Sequence, residues 1–196
     1  PPLYSSAASD VYKRQGDVWL TEERLDELAE QIKQKMGTVS RVSIDTSAWA
    51  GPDQAPGWDD DNIDGGYVAP IQPAMLYGGR IEEKTGDVPR SHEPALDVAR
   101  ALAARLGTDK ADIAAVPAGA EVIASSDSEP LALRAQQAIK DSDNVMAEAI
   151  ARELASHERA EASFEGAAKT TLDVLEHNGI DVSGVVLKDG LSLIHI

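Results

Sequence analysis

The chain has 196 residues, with 34 acidic against 18 basic side chains and no cysteine. A net charge of −16 argues against nucleic acid and anionic membrane as partners, because both are bound through basic patches. Lack of cysteine removes disulfide scaffolds, zinc–thiolate sites and cysteine nucleophiles, and a 42% hydrophobic share separates the chain from a disordered acidic tail. No uninterrupted apolar run is long enough to cross a bilayer.

The two ends read as foreign. Pro1 is not a natural start. The DNA stretch GATGTGTATAAGAGACAG encodes Asp10-Val11-Tyr12-Lys13-Arg14-Gln15, and its reverse complement encodes Leu191-Ser192-Leu193-Ile194-His195-Ile196. One inverted copy at each border is the mark of a transposon-based sequencing adapter. Residues 1–15 and 191–196 are therefore set aside as adapter-derived, and residues 16–190 are expected to be an internal fragment of a longer gene.

Within that segment, Thr21 can cap a helix, Glu22 and Glu23 suit its positive end, and Leu25, Leu28, Ile32 and Met36 recur at helical spacing until Gly37. Val39 to Asp45 predicts a short half-buried strand, with Val42 and Ile44 alternating against Arg41 and Ser43. From Trp49 to Arg90, Gly, Pro and Asp dominate, with Trp49, Trp58, Tyr67 and Tyr77 among them. This stretch is too long for a plain connection; it is a structured loop region held by its aromatics, or the place where something binds.

A second helix starts at Pro94, presents Leu96, Ala99, Leu102, Ala103 and Leu106 on one face, and stops at Gly107. Glu121 to Ala124 predicts a short strand. Pro130 opens a third helix through Leu133 and Ile139, and Asp143 caps a fourth with Val145, Met146, Ala149, Ile150 and Leu154 inward. A fifth runs from Ser163 to His177, and Val185 to Leu187 predicts a closing strand. Strands and helices interleave without a repeat, so the class is α/β (α+β).

Ser142-Asp143-Asn144 places a hydroxyl and an amide side by side at a helix entrance. In penicillin-recognising serine hydrolases such a triplet forms one wall of the active site. The hydroxyl can relay a proton, and the amide can orient a peptide group. The competing reading is a plain helix cap. Asp60-x-Asn62-x-Asp64-Gly65 opens like a calcium loop, but its twelfth position, where a bidentate carboxylate is required, is Ile71, so an ordinary acidic turn is expected. His92, His157 and His177 have no ligand spacing and read as solvent-facing; no metal and no cofactor is expected. Trp49, Trp58 and Tyr67 can stack on sugar rings, but packing beneath the long loop is the expectation.

The stretch from Lys140 to Ala149 resembles the second motif of the D-alanyl-D-alanine carboxypeptidases of the low-molecular-mass class C penicillin-binding proteins, peptidase family S13. Gly57-Trp58 with the later Gly66-Tyr67-Val68-Ala69-Pro70 resembles the family's tryptophan-to-Y-x-A-P stretch, and Tyr77-Gly78-Gly79-Arg80 resembles the family's next segment. Gly179-Ile180-Asp181 through Leu187-Lys188-Asp189-Gly190 is similar to the lead into the family's DGSGLS. These similarities occur in the family's order and cover nearly all of residues 16–190.

The resemblance implies a fragment of a penicillin-binding-protein/beta-lactamase-like transpeptidase fold. Residues 16–90 would be an inserted or accessory segment, and residues 91–190 part of the serine peptidase domain. Family members often carry a long insertion before the helix that here begins near Pro94; this chain crosses the gap in a short loop, so the inserted subdomain is reduced. The family's site combines S-x-x-K, S-x-N and K-T-G. Only the second is carried here, by Ser142 and Asn144, as the implied catalytic-site residues. No Ser lies three residues before any Lys, so the nucleophile is expected upstream. Lys84-Thr85-Gly86 spells the third motif but precedes the triplet and sits among Glu82, Glu83 and Asp87, so it reads as a decoy.

The same resemblance implies a serine-type D-Ala-D-Ala carboxypeptidase, with endopeptidase activity also open. It would act outside the cytoplasm on peptidoglycan stem peptides ending in D-Ala-D-Ala, through an acyl-enzyme that beta-lactams trap as inhibitors. The fragment itself is expected to be inactive. The alternative is a non-catalytic peptidoglycan- or protein-binding module of the same fold, with binding carried by the loop from Trp49 to Tyr77.

Overall fold

The computed structural model describes residues 3–5, 16–117 and 119–191. In chain order its elements are strands β1 (Leu3–Ser5) and β2 (Asp17–Leu20), helix α1 (Glu22–Lys35), strand β3 (Val42–Ile44), the one-turn helix α2 (Asp61–Asp64) and strand β4 (Ala74–Leu76). Then come helix α3 (Pro94–Arg105), strand β5 (Ala111–Ile113) and helices α4 (Leu131–Asp141), α5 (Asn144–His157) and α6 (Phe164–His177). The expected mixed α/β class is what forms. One parallel sheet has the order β1-β3-β5 and a second pairs β2 with β4, also in parallel.

Local signals account for the starts of the long helices α1, α3 and α6. Thr21 caps α1 by accepting from the Arg24 amide, and Ser163 caps α6 by accepting from Gly166. Pro94 opens α3, where a missing amide hydrogen costs nothing. Two buried clusters hold the layers together. In the first, Leu25, Ala29 and Ile32 of α1 and Val98, Ala99 and Leu102 of α3 close over Val42 and Ile44 of β3. In the second, Val145, Met146 and Ala149 of α5 pack with Phe164, Trp49, Ile71 and Met75. Both clusters draw residues from either side of position 90.

Two strand expectations are corrected. Residues 121–124 form no strand; the strand in this part of the chain is β5, parallel to β3 with Val42 opposite Ala111 and Ile44 opposite Ile113. β5 is hard to read because its middle residue is Asp112, a carboxylate tied sideways to Ser43 and Arg41 on the outer edge rather than an apolar inward group. Val185 to Leu187 makes no ladder either: Val185 closes a turn onto the Val182 carbonyl at 3.0 Å, and Val186 stays 64% exposed. The adapter reading of residues 1–15 and 191–196 falls mostly outside the described residues. Within them, β1 lies on the free edge of β3, where pairing uses backbone groups that any sequence supplies.

Candidate active site

α4 ends where α5 begins, and the turn between them is Ser142-Asp143. Ser142 adopts the left-handed conformation, φ 53° and ψ 40°, at the position where helices usually place glycine. For a residue with a Cβ this costs about 1 kcal/mol, so the surrounding contacts must hold it. The Asp143 amide returns to the Ala138 carbonyl at 2.9 Å, closing α4. Asp143 then caps α5, its Oδ1 accepting from the Met146 amide at 3.0 Å. The cap is therefore Asp143 rather than its neighbours, which leaves Ser142 and Asn144 for other work. Ser142 is exposed; among the described residues nothing holds its hydroxyl. Asn144 is half-buried and its Nδ2 donates to the Tyr67 carbonyl at 2.9 Å, joining the triplet to the Gly66-Tyr67-Val68-Ala69-Pro70 stretch.

Asp143 is 4% exposed, and two buried arginines face it. Arg80 Nη2 donates to Asp143 Oδ2 at 3.0 Å, and Arg90 Nη2 stands 3.9 Å from the same oxygen. Both guanidinium groups also donate to backbone carbonyls from Nε and Nη1. Arg80 reaches Tyr77 at 3.0 Å and Gly86 at 2.9 Å; Arg90 reaches Gly66 at 2.8 Å and Gly78 at 2.7 Å. Arg80 also lies over the Trp19 ring at 5.0 Å. Burial lowers the Arg90 guanidinium to about 10, with Asp143 opposing the fall and Arg80 adding to it, so Arg90 stays charged near neutrality.

The long loop is thereby a built structure. An antiparallel bridge joins Arg80 and Arg90, and two glycines let the backbones approach. Gly66 has φ +82°, and a Cβ there would sit 2.3 Å from the Val88 carbonyl oxygen; at Gly78, with φ +67°, it would meet Arg90 Nη1 at 2.8 Å. Lys84-Thr85-Gly86 lies in the exposed turn between the arginines, and Lys84 faces Glu22 and Glu23 at 3.6 and 3.7 Å. It is on no strand, as the decoy reading requires.

A second polar cluster lies deeper on α5. Glu148 and Arg152 are both within 1% of complete burial. Arg152 Nε donates to Glu148 Oε1 at 3.1 Å, and its guanidinium sits 4.3 Å from the Phe164 ring centroid and 5.5 Å from that of Trp49. Glu148 Oε2 accepts from the Gly190 amide at 2.6 Å, and Asp189 Oδ2 accepts from Trp58 Nε1 at 3.2 Å. The Asp189-Gly190 segment is thus docked on the helix that the triplet opens. Burial pushes the Glu148 carboxyl up to about 7, against the lowering by the Gly190 amide and Arg152. Arg134 on α4 grips Glu153 on α5 with both prongs, at 2.5 and 2.7 Å.

The remaining expected positions are accounted for. Trp49 is buried and Trp58, half-buried, meets Phe164 edge-on at 5.3 Å, so both pack beneath the loop as expected, whereas Tyr67 is 53% exposed. Asp60 and Asp64 do not converge: Asp60 accepts from Gln54, and Asp64 faces His92 at 3.0 Å. His92, His157 and His177 are all exposed. Sequence reasoning did not single out Asp143 as a buried anchor, nor Arg90, Glu148 or Arg152. Nothing in the pattern marks Arg90, but Glu148 and Arg152 stand four apart among inward-facing positions of α5, a signal that was there to be read.

Known proteins are similar to this chain in sequence and in fold. The sequence profile of the D-Ala-D-Ala carboxypeptidase 3 (S13) family matches two overlapping stretches, residues 7–99 and 82–195. Carboxypeptidase DacB of Mycolicibacterium smegmatis is 45% identical over 173 residues, and a carboxypeptidase of Mycobacterium tuberculosis is 45% identical over 174. Each alignment takes in 87% of this chain and 38% of the relative, so the chain spans well under half the length of these relatives. In fold it is similar to penicillin binding protein 4 (dacB) from Haemophilus influenzae, with TM-score 0.71 at 18% identity over 91% of this chain and 56% of that one. A second structure of that protein, complexed with a beta-lactam, gives TM-score 0.60 at 17% identity over 99% of this chain and 55% of that one. With the family profile matching on both sides of the Arg80–Arg90 loop and across the triplet, the chain belongs to the D-Ala-D-Ala carboxypeptidase 3 (S13) family.

Proposed function

We propose that the whole protein is a serine-type D-Ala-D-Ala carboxypeptidase acting on peptidoglycan stem peptides in the cell envelope, outside the cytoplasm. Ser142 and Asn144 form the S-x-N wall of its site. Residues 16–90 as accessory segment and residues 91–190 as part of the peptidase domain belong to the same reading. The observation that carries it is the family's second motif built as a held turn: an exposed Ser142 in a left-handed backbone and Asn144 fixed on the Tyr67 carbonyl, one on each side of a buried, doubly paired Asp143.

The chemistry divides between this chain and a nucleophile that it does not contain, since no Ser stands three residues before a Lys. That serine attacks the penultimate D-Ala carbonyl, the terminal D-Ala leaves with a proton, and water releases the acyl-enzyme. The Ser142 hydroxyl relays the proton to the leaving amine, and the Asn144 amide orients the stem peptide. The same ester forms with a beta-lactam, the ligand bound by the neighbour from Haemophilus influenzae.

The test uses the full gene product. It should bind labelled penicillin covalently and release D-Ala from a pentapeptide ending in D-Ala-D-Ala, and Ser142→Ala should slow both by about 10²-fold or more. A folded full-length protein with an intact S-x-x-K that takes up no label would end the enzymatic reading in favour of a binding module.

A further inference from the structure

Arg80 and Arg90 enter the site from outside the triplet, and their geometry assigns them a task. Both guanidinium groups converge on Asp143 Oδ2, at 3.0 and 3.9 Å. Their other donors fix the loop on which Asn144 rests: Arg90 holds the Gly66 carbonyl at 2.8 Å, and the next carbonyl, that of Tyr67, accepts from Asn144. Arg90 therefore reaches both supports of Asn144, the residue before it and the loop above it. Arg80 ties the same carboxylate to Tyr77 and Gly86. Asp143 has its other oxygen on the Met146 amide, so its carboxylate has no freedom to swing. Ser142, one residue back, is in a backbone conformation that a serine does not choose unaided.

We propose that Arg80 and Arg90 are positioning residues that act through Asp143: together they hold Ser142 in its left-handed turn and Asn144 against the Tyr67 carbonyl. This rests on the carboxypeptidase reading for its consequence, faster acylation, but not for the clamp itself. A side chain displaced by about an ångström from its productive place costs up to about 10² in rate. A lysine in place of either arginine keeps the charge and loses the fork that reaches carboxylate and carbonyl together.

In the full gene product, Arg80→Lys and Arg90→Lys should each lower the acylation rate constant for penicillin about 10- to 100-fold. The dissociation constant of the initial complex and the near-ultraviolet circular dichroism should stay near wild type. Arg80→Lys placed on Asp143→Asn should cost nothing further, because the arginine acts through the carboxylate. Amide exchange supplies a readout independent of activity. The Asp143 and Met146 amides, protected in the wild type, should exchange at least about tenfold faster in the lysine variants, with α6 unchanged. This arm also decides the matter if Asp143→Asn does not fold. Wild-type acylation in both lysine variants, additive losses in the double variant, or unchanged exchange at these amides would each overturn the clamp. An unlabelled wild type defeats the carboxypeptidase reading instead, and leaves the exchange result to judge the clamp.

Discussion

Glu148→Gln is the substitution whose effect on stability is best defined. The carboxyl is fully buried, facing Arg152 on its own helix and Asp189 and the Gly190 amide from the docked segment. Burial lifts it from an ordinary 4.5 to about 7. The unfolded chain thus gives up this proton near pH 4.5, while the folded chain keeps it up to about pH 7. Stability from this group is fully present below the lower value and is lost as pH rises through the upper one. The span corresponds to about 3 kcal/mol. Glutamine keeps the shape and an acceptor for the Gly190 amide but does not titrate. The wild-type advantage over Glu148→Gln should therefore shrink by about 3 kcal/mol between pH 4 and pH 8, most of it between pH 4.5 and 7. Other carboxylates cancel in the difference. Urea unfolding monitored by tryptophan fluorescence suits the measurement, because Trp49 lies under Arg152 and Trp58 holds Asp189. A constant difference across that range would mean that Arg152 keeps Glu148 ionised despite burial, and the argument would be lost.

Arg134→Ala leaves Glu153 buried without its two-pronged partner, and should destabilise by about 3–5 kcal/mol in denaturant titration; an apolar pair, Arg134→Met with Glu153→Leu, should recover most of that. Gly66→Ala adds a Cβ 2.3 Å from the Val88 carbonyl in a left-handed backbone, so the loop must shift, and the variant should lose soluble yield and melt lower. Ser142→Gly relieves the left-handed turn and should raise stability by about 1 kcal/mol in thermal unfolding even as it removes the hydroxyl. Lys84→Ala should leave penicillin labelling of the full gene product unchanged, whereas a true third motif at Lys84-Thr85-Gly86 would demand its loss.

The helices were legible because each depends on a few neighbouring residues. Thr21, Pro94, Asp143 and Ser163 sit where capping chemistry requires them, and the apolar spacing marks the buried faces only in part: Ile150 and Leu154, expected inward on α5, are half-buried, while Glu148, Arg152 and Glu153 are buried. Among the three-residue strands, β3 shows itself through Val42 and Ile44, whereas β5 carries too little pattern. β5 has Asp112 in the middle, while residues 121–124, which look more strand-like, join no ladder; β3 pairs with β1 on one side and β5 on the other. At the candidate site, Ser142 and Asn144 could be read because the triplet is contiguous. The arginines could not, because what pairs them with Asp143 is a loop closure across more than fifty residues, and an arginine among Gly, Pro and Asp has no local signature.

Helix α5 carries buried carboxylates where an apolar surface would be at least as stable. A buried ion pair gains little over well-packed hydrocarbon, since two desolvation penalties offset the attraction. What hydrocarbon lacks is direction. Leucines at 80 and 90 would let the loop slide on α5, whereas two planar guanidinium groups that must meet one carboxylate and four named carbonyls admit one register. Glu148 does the same for the segment at Gly190, one turn along the helix from Asn144. Among the described residues, two buried polar sites thus stand where a distant segment must arrive at α5 in a fixed position, and a third, Arg134 with Glu153, joins α5 to the neighbouring α4. The first of them is the residue between Ser142 and Asn144.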